Sequence, residues 1–147
     1  MIVYLDTSAY VKLVLEEVDS RHVRGWFASA TRAVSSVITY AETCAAFSRR
    51  DRDVHTTASR LTTWVASLDD RWRRTVSVPV DGRSAGRLAI AHGLRGMDAV
   101  QLAAALTLRE HVLTEASDAE VAFAAFDRRL LEAAEREGLT TLGRPLE

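Results

Sequence analysis

Short apolar runs alternate with amphipathic stretches along most of this chain. Ile2-Val3-Tyr4-Leu5 is rich in β-formers and stops abruptly at Asp6-Thr7-Ser8, which predicts a buried strand feeding a helix over Ala9–Leu15. A second helix is expected over Asp19–Ser29, burying Val23, Trp26 and Phe27, and a second strand over Ala33–Val37. From Thr39 a longer helix sets Ala41, Ala45, Ala46 and Phe47 on one side, and another spans Val54–Leu68. A third strand falls at Thr75–Val80, then helices at Ser84–His92 and Asp98–Arg109 on either side of Leu94-Arg95-Gly96. Val121–Phe126 reads as the fourth strand, and Asp127–Glu137 as a helix that stops at Gly138. Strands alternating with helices imply an α/β fold with a short, mainly parallel sheet covered on both faces. Ligands of such sheets bind outside the carboxyl ends of the strands.

Four carboxylates fall where that architecture converges: Asp6 and Asp127 each follow an apolar strand, and Glu42 and Asp98 are expected in first turns of helices. Each also has a capping explanation. Thr39-Tyr40-Ala41-Glu42 fits a capping box, Asp98 stands three residues before Gln101, and Asp6 and Asp127 sit where N-caps belong. The two roles are compatible, because acids at neighbouring helix starts also line one pocket. Gathered at one sheet edge, they would repel one another without a cation. Hard oxygen donors suit Mg²⁺ or Mn²⁺, and a metal held this way activates water against a phosphodiester.

Composition narrows the alternatives. A chain of 147 residues, 48% hydrophobic and 27% charged, favours a single domain over 1–147 that needs no disulfide to fold. Cys44 stands alone, which excludes an intrachain disulfide and a cysteine-built zinc cluster. The N-terminus lacks the pattern of a signal peptide, and no run approaches the roughly 20 apolar residues of a membrane span. A soluble, cytoplasmic protein with no membrane partner is expected. The net charge of −1 does not itself point to a polyanion. Lys12 is the one lysine, so every other cationic side chain is an arginine; in a chain rich in Ala and Arg this reads first as GC-rich codon usage, although arginine also suits bidentate phosphate contacts. The histidines show no zinc-binding spacing, and neither a dinucleotide fingerprint nor a P-loop is present. Trp64 and Trp72 with Arg71, Arg73 and Arg74 form an aromatic-basic neighbourhood that reads as an RNA clamp or, preferably, as a packed helix end.

The motifs Ile2-Val3-Tyr4-Leu5-Asp6-Thr7-Ser8-Ala9, Ser36-Val37-Ile38-Thr39-Tyr40-Ala41-Glu42, Leu94-Arg95-Gly96-Met97-Asp98-Ala99-Val100-Gln101-Leu102-Ala103 and Ala125-Phe126-Asp127-Arg128-Arg129-Leu130-Leu131 occur in that order over nearly the whole chain. As a set they resemble PIN-domain ribonucleases, particularly VapC-type toxins of bacterial toxin–antitoxin modules. The resemblance implies a PIN-like α/β/α sandwich and a metal-dependent endoribonuclease using Mg²⁺, with Mn²⁺ as a substitute. It also implies a cognate antitoxin protein, an RNA substrate and a homodimer. By motif match Asp6 and Asp98 become metal ligands, Glu42 and Asp127 hold the metal or its water, and Thr7 or Ser8 supplies an assisting hydroxyl. Arg49, Arg50, Arg128 and Arg129 are the accompanying candidates for RNA contact. The segment 110–120 looks longer and more acidic than the family pattern, and Glu115, Asp118 and Glu120 are read as solvated loop acids. A haloacid dehalogenase would need a second acid where Ser8 stands, and a receiver domain would need a late lysine. The competing reading is a PIN-like module that binds RNA or protein without cutting.

Overall fold

The chain is described by a computed structural model over residues 1–53, 59–115 and 118–143. The opening apolar run forms β1 (Ile2–Leu5), whose alternation sends Val3 and Leu5 into one core and Tyr4 into another. Helices α1 (Thr7–Val14) and α2 (Ser20–Ser29) lead to β2 (Arg32–Ser36), parallel to β1. Helices α3 (Val37–Asp53) and α4 (Leu61–Trp72) lead on to β3 (Thr75–Val78) beside β2. The chain then returns through α5 (Gly82–His92) and α6 (Gly96–Glu115) to β4 (Val121–Ala124), on the other side of β1. Helix α7 (Arg128–Arg136) closes the last crossover to β5 (Thr140–Leu142).

The described strands thus form one parallel sheet in the order β3-β2-β1-β4-β5. Tyr10, Leu13, Val23, Phe47 and Leu68, from α1 to α4, pack against one face. Ala85, Leu102, Leu130 and neighbours from α5 to α7 cover the other, where Tyr4 stacks on Phe123 at 5.5 Å. This is the expected α/β/α sandwich. The chain winds away from β1 first in one direction and then in the other, so strand order reverses between β1 and β4. The crevice beyond their carboxyl ends is the place such a sheet offers a ligand.

Several local expectations are corrected. The second strand ends at Ser36, and Val37 already begins α3. Ser36 Oγ accepts from Ile38 N at 3.3 Å, which turns the strand-forming Val37-Ile38 pair into a helix start. Along α3 the buried line is Thr39, Thr43 and Phe47, while Ala41 and Ala45 face solvent. In α2 only Ser20 and Val23 are buried; Trp26 and Phe27 are half-buried. The expected helix Val54–Leu68 begins partly outside the described residues and is observed as α4, ending at Trp72. The third and fourth strands stop at Val78 and Ala124, and α6 continues to Glu115 instead of ending at Arg109. The short β5 was not anticipated. Among the described residues no helix is long and apolar enough to cross a membrane.

Candidate active site

At the carboxyl end of β1, Asp6 caps α1. Its Oδ1 accepts from Ala9 N at 2.9 Å and from the Ser8 hydroxyl at 2.7 Å. Beyond β4, Asp127 caps α7 by accepting from Leu130 N at 2.9 Å. Asp98 stands in the first turn of α6. Glu42 differs from the expectation: α3 starts at Val37, so Glu42 lies in the second turn and no capping box with Thr39 forms. Its Oε1 accepts instead from the Thr7 hydroxyl at 2.7 Å. The four acids, three from helix starts and Glu42 from the second turn of α3, line one open cavity of about 420 Å³ together with Thr7 and Ser8.

Beneath the acids lies a polar network that the sequence reading passed over. Gln101 is 2% exposed and receives the Tyr4 hydroxyl on Oε1 at 2.7 Å. Its Nε2 lies 3.0 Å from Thr39 Oγ1 and 3.1 Å from both Thr7 Oγ1 and Glu42 Oε1, more acceptors than two hydrogens serve at once. Ser35 donates to the Leu5 carbonyl at 2.6 Å and approaches Thr39 Oγ1 at 2.8 Å. Glu42 is therefore held from below by an amide and a hydroxyl, both anchored in the sheet. The signal in the sequence was a lone amide inside an apolar helical run, one turn after Asp98. Ser8 makes a second link, since its Oγ also accepts from Phe126 N at 3.0 Å and ties Asp6 to the segment carrying Asp127.

Burial dominates the electrostatics. It pushes the Asp6 carboxyl up to about 7 against the lowering effect of its hydrogen bonds, and the nearby Asp98 and Glu42 charges add to the rise. Asp98 is also raised, first by burial and then by Asp127 and Glu42. Lys12 lines the same cavity, but its Nζ is engaged by Glu17 at 3.1 Å and the Val18 carbonyl at 2.9 Å. The acids thus lack an ion-pair partner among the described residues.

A cluster of hard oxygens without an ion-pair partner among the described residues fits a divalent cation. Among the described residues no three His, Cys, Asp or Glu side chains already converge closely enough to cage one. That looseness suits Mg²⁺, which keeps several waters and takes only one or two carboxylates directly.

The arginine candidates separate. Arg49 lines the acid cavity, whereas Arg50 is drawn to Glu17 at 2.6 Å. Arg128 and Arg129, joined by Arg95, line an adjoining cavity of about 410 Å³ that shares Asp98 and Asp127 with the first. In segment 110–120, Ala116 and Ser117 lie outside the described residues. Glu115 belongs to α6 rather than to a loop and sits 3.4 Å from His111, while Glu120 accepts from Thr140 at 3.0 Å. Glu115, Asp118 and Glu120 are absent from the lining of the acid cavity.

The PIN domain family matches residues 3–136. Ribonuclease VapC45 of Mycobacterium tuberculosis is 35% identical over 140 residues, which cover 93% of this chain and 92% of that protein. Among solved structures, PAE2754 from Pyrobaculum aerophilum superposes with a TM-score of 0.65 at 16% identity, covering 96% of this chain and 83% of its own. The sarcin-ricin loop cleaving toxin VapC20 of Mycobacterium tuberculosis gives 0.62 at 16% identity, covering 94% and 96%.

Proposed function

The chain belongs to the PIN-domain family, and we propose that it is a single-domain, metal-dependent endoribonuclease, the toxin of a type II toxin–antitoxin pair. The observation that carries this reading is the convergence of Asp6, Glu42, Asp98 and Asp127 on one cavity at the strand-order reversal, where no ion pair among the described residues neutralises them. The name of VapC45, a ribonuclease similar over nearly the full length, supports the same activity.

Asp6 and Asp98 would hold Mg²⁺ or Mn²⁺ directly, and Glu42 and Asp127 the ion or its waters. When bound, the ion supplies positive charge that lowers the pKa of water and steadies charge developing on a phosphate oxygen. The chain's own groups do the rest. Thr7 and Gln101 orient Glu42, and Ser8 orients Asp6. Arg49 on the wall, with Arg95, Arg128 and Arg129 in the adjoining cavity, offers guanidinium forks to the phosphates on either side of the scissile bond. An acid pocket that attracts a metal also attracts a cationic side chain. A cognate antitoxin laying an amphipathic helix on the N-terminal helices and extending an Arg or Lys towards the four acids would block it.

Replacing a metal-binding carboxylate by its amide keeps the size and removes the charge. Asp6→Asn and Asp98→Asn are each expected to lower RNA cleavage by about a thousandfold, equivalent to about 4 kcal/mol in the barrier. Circular dichroism should show both variants folded. Chelation should stop the wild-type protein, and Mn²⁺ or Mg²⁺ should restore it. Full cleavage by both folded variants, or undiminished cleavage after metal removal, sinks the proposal. RNA binding without any cleavage would favour the non-catalytic module instead.

A further inference from the structure

Beside the acid cavity the rings of His22, Trp26 and Phe126 form a ladder. His22 and Trp26 stand 6.4 Å apart at 20°, and Trp26 and Phe126 stand 6.2 Å apart at 18°. Lys12 Nζ lies over the Phe126 ring, 4.9 Å from its centre. The ladder edges a separate cavity of about 390 Å³, completed by Asp19, Thr141, Leu142 and Gly143. Phe126 belongs to the walls of both cavities and directly precedes Asp127.

Three features mark this cavity as more than a gap in packing. Trp26 packs on the core beside Val23 yet stays half-buried, with its free side on the cavity. Asp19 is the one non-glycine residue with positive φ among the described residues, at 69°. It precedes α2 without capping it, and its carboxylate holds His22 Nδ1 at 3.2 Å. Such strained positions gather at ligand clamps. Gly143, at φ 114°, passes so close to the Ala125 carbonyl that a Cβ would lie 1.9 Å from its oxygen. The exit of β5 is thereby pressed against the backbone that leads into Phe126, which fixes the opposite wall.

We propose that this cavity is a subsite for one unpaired nucleobase of the RNA, stacked on Trp26 next to the scissile phosphate. The inference rests on the ribonuclease reading and extends it to substrate positioning. Near-parallel rings with centres 6.2–6.4 Å apart touch only with a large offset, so the part of the Trp26 indole that lines the cavity is not covered by its two neighbours and can take the flat face of a base. The Asp19 carboxylate and the Thr141 hydroxyl at the rim can meet the polar edge of a base. Phe126 lines both cavities, so a nucleotide in the acid pocket has the ladder as its neighbour.

The test pairs protein and RNA truncations. A single-stranded RNA of about ten nucleotides, within the range such sites bind, is compared with versions carrying one abasic ribose at successive positions. Affinity is read by fluorescence anisotropy on metal-free protein, and cleavage with Mn²⁺ is followed in parallel. Trp26→Ala is expected to weaken binding about five- to a hundredfold, and Trp26→Phe to retain most of it. One abasic position should weaken wild-type binding by a similar factor and have little further effect on Trp26→Ala. Equal affinity of wild type and Trp26→Ala, two losses that multiply, or no RNA binding by the wild type overturns the subsite. Loss of self-association with RNA binding intact would make the ladder a protein contact and also overturn it. Failure of the wild type to cleave, with the coupling present in binding, would sink the ribonuclease reading alone.

Discussion

Two regions of this molecule concentrate the side chains that chemistry uses, and they treat them in opposite ways. Around α4 the aromatic and basic groups turn towards one another. Trp72 meets Tyr10 at 5.5 Å and Tyr40 at 5.7 Å, both edge-on, and Trp64 lies 5.8 Å from Phe47. The Tyr40 hydroxyl donates to Asp69 at 2.6 Å, Arg71 to Ser67 at 2.6 Å, and Arg73 and Arg74 share Asp70. The neighbourhood that could have clamped RNA is a packed helix end. At the carboxyl ends of β1 and β4 the acidic side chains are organised from behind and left open in front. Asp6 has both its hydrogen bonds on Oδ1, and Glu42 both of its bonds on Oε1. The other oxygens have no protein donor among the described residues. Only the second region keeps bonding capacity that the fold has not consumed.

The contrast is most exposed at Asp6. The folded protein keeps a proton on this group up to about pH 7, whereas the unfolded chain releases it near 3.8. Its contribution to stability is therefore full below pH 3.8, declines as pH rises, and is gone above about 7. In metal-free protein Asp6→Asn should remove that decline and raise stability at pH 8 by up to about 4 kcal/mol, since one pKa unit is worth about 1.4 kcal/mol. Urea denaturation of both proteins at pH 4 and pH 8 measures it; parallel pH profiles would refute the assignment. Trp72→Ala should act on the other region, lowering stability by about 3 kcal/mol as a partly buried aromatic is lost. Cleavage per folded molecule, measured well below its unfolding midpoint, should stay within about twofold, because the barrier changes little. A large loss of activity in stable protein would return RNA binding to α4. Gln101→Met probes the seam between packing and chemistry. Leaving the Tyr4 hydroxyl and Glu42 without their amide should cost about 2 kcal/mol, with a fall in kcat larger than any change in KM. Unchanged kcat would reduce Gln101 to a core residue.

The sequence carried the strand–helix alternation because buried parallel strands are short apolar runs with abrupt polar ends, as Ile2–Leu5 and Val121–Ala124 are. It carried Asp6 and Asp127 for the same reason, since each is the first polar residue after such a run. Glu42 was found by motif but misplaced by one turn. Val37-Ile38-Thr39 has strand propensity, and the Ser36 hydroxyl on Ile38 N together with the burial of Thr39 among Ser35 and Gln101 favours the earlier helix start. Three residues of β5 gave too short a pattern to read, and their pairing with β4 is set by contacts rather than periodicity. The aromatic ladder was hidden because Trp26 and Phe126 are a hundred residues apart in the chain, and each looked like an ordinary core residue by itself.

The central place of β1 also orders events in time. A ribosome delivers the N-terminal strand first, at about 5–20 residues per second, yet one of its two neighbours, β4, lies beyond residue 120. Ile2 pairs with Val121 and Leu5 with Ala124, so the edge that holds Asp6 is unfinished until the last quarter of the chain has been made. A nascent chain or a truncated product can carry Asp6 and Glu42 without possessing the pocket they complete with Asp98 and Asp127. In a chain wound in this order the four-acid pocket is complete only once β4 and Asp127 have been made.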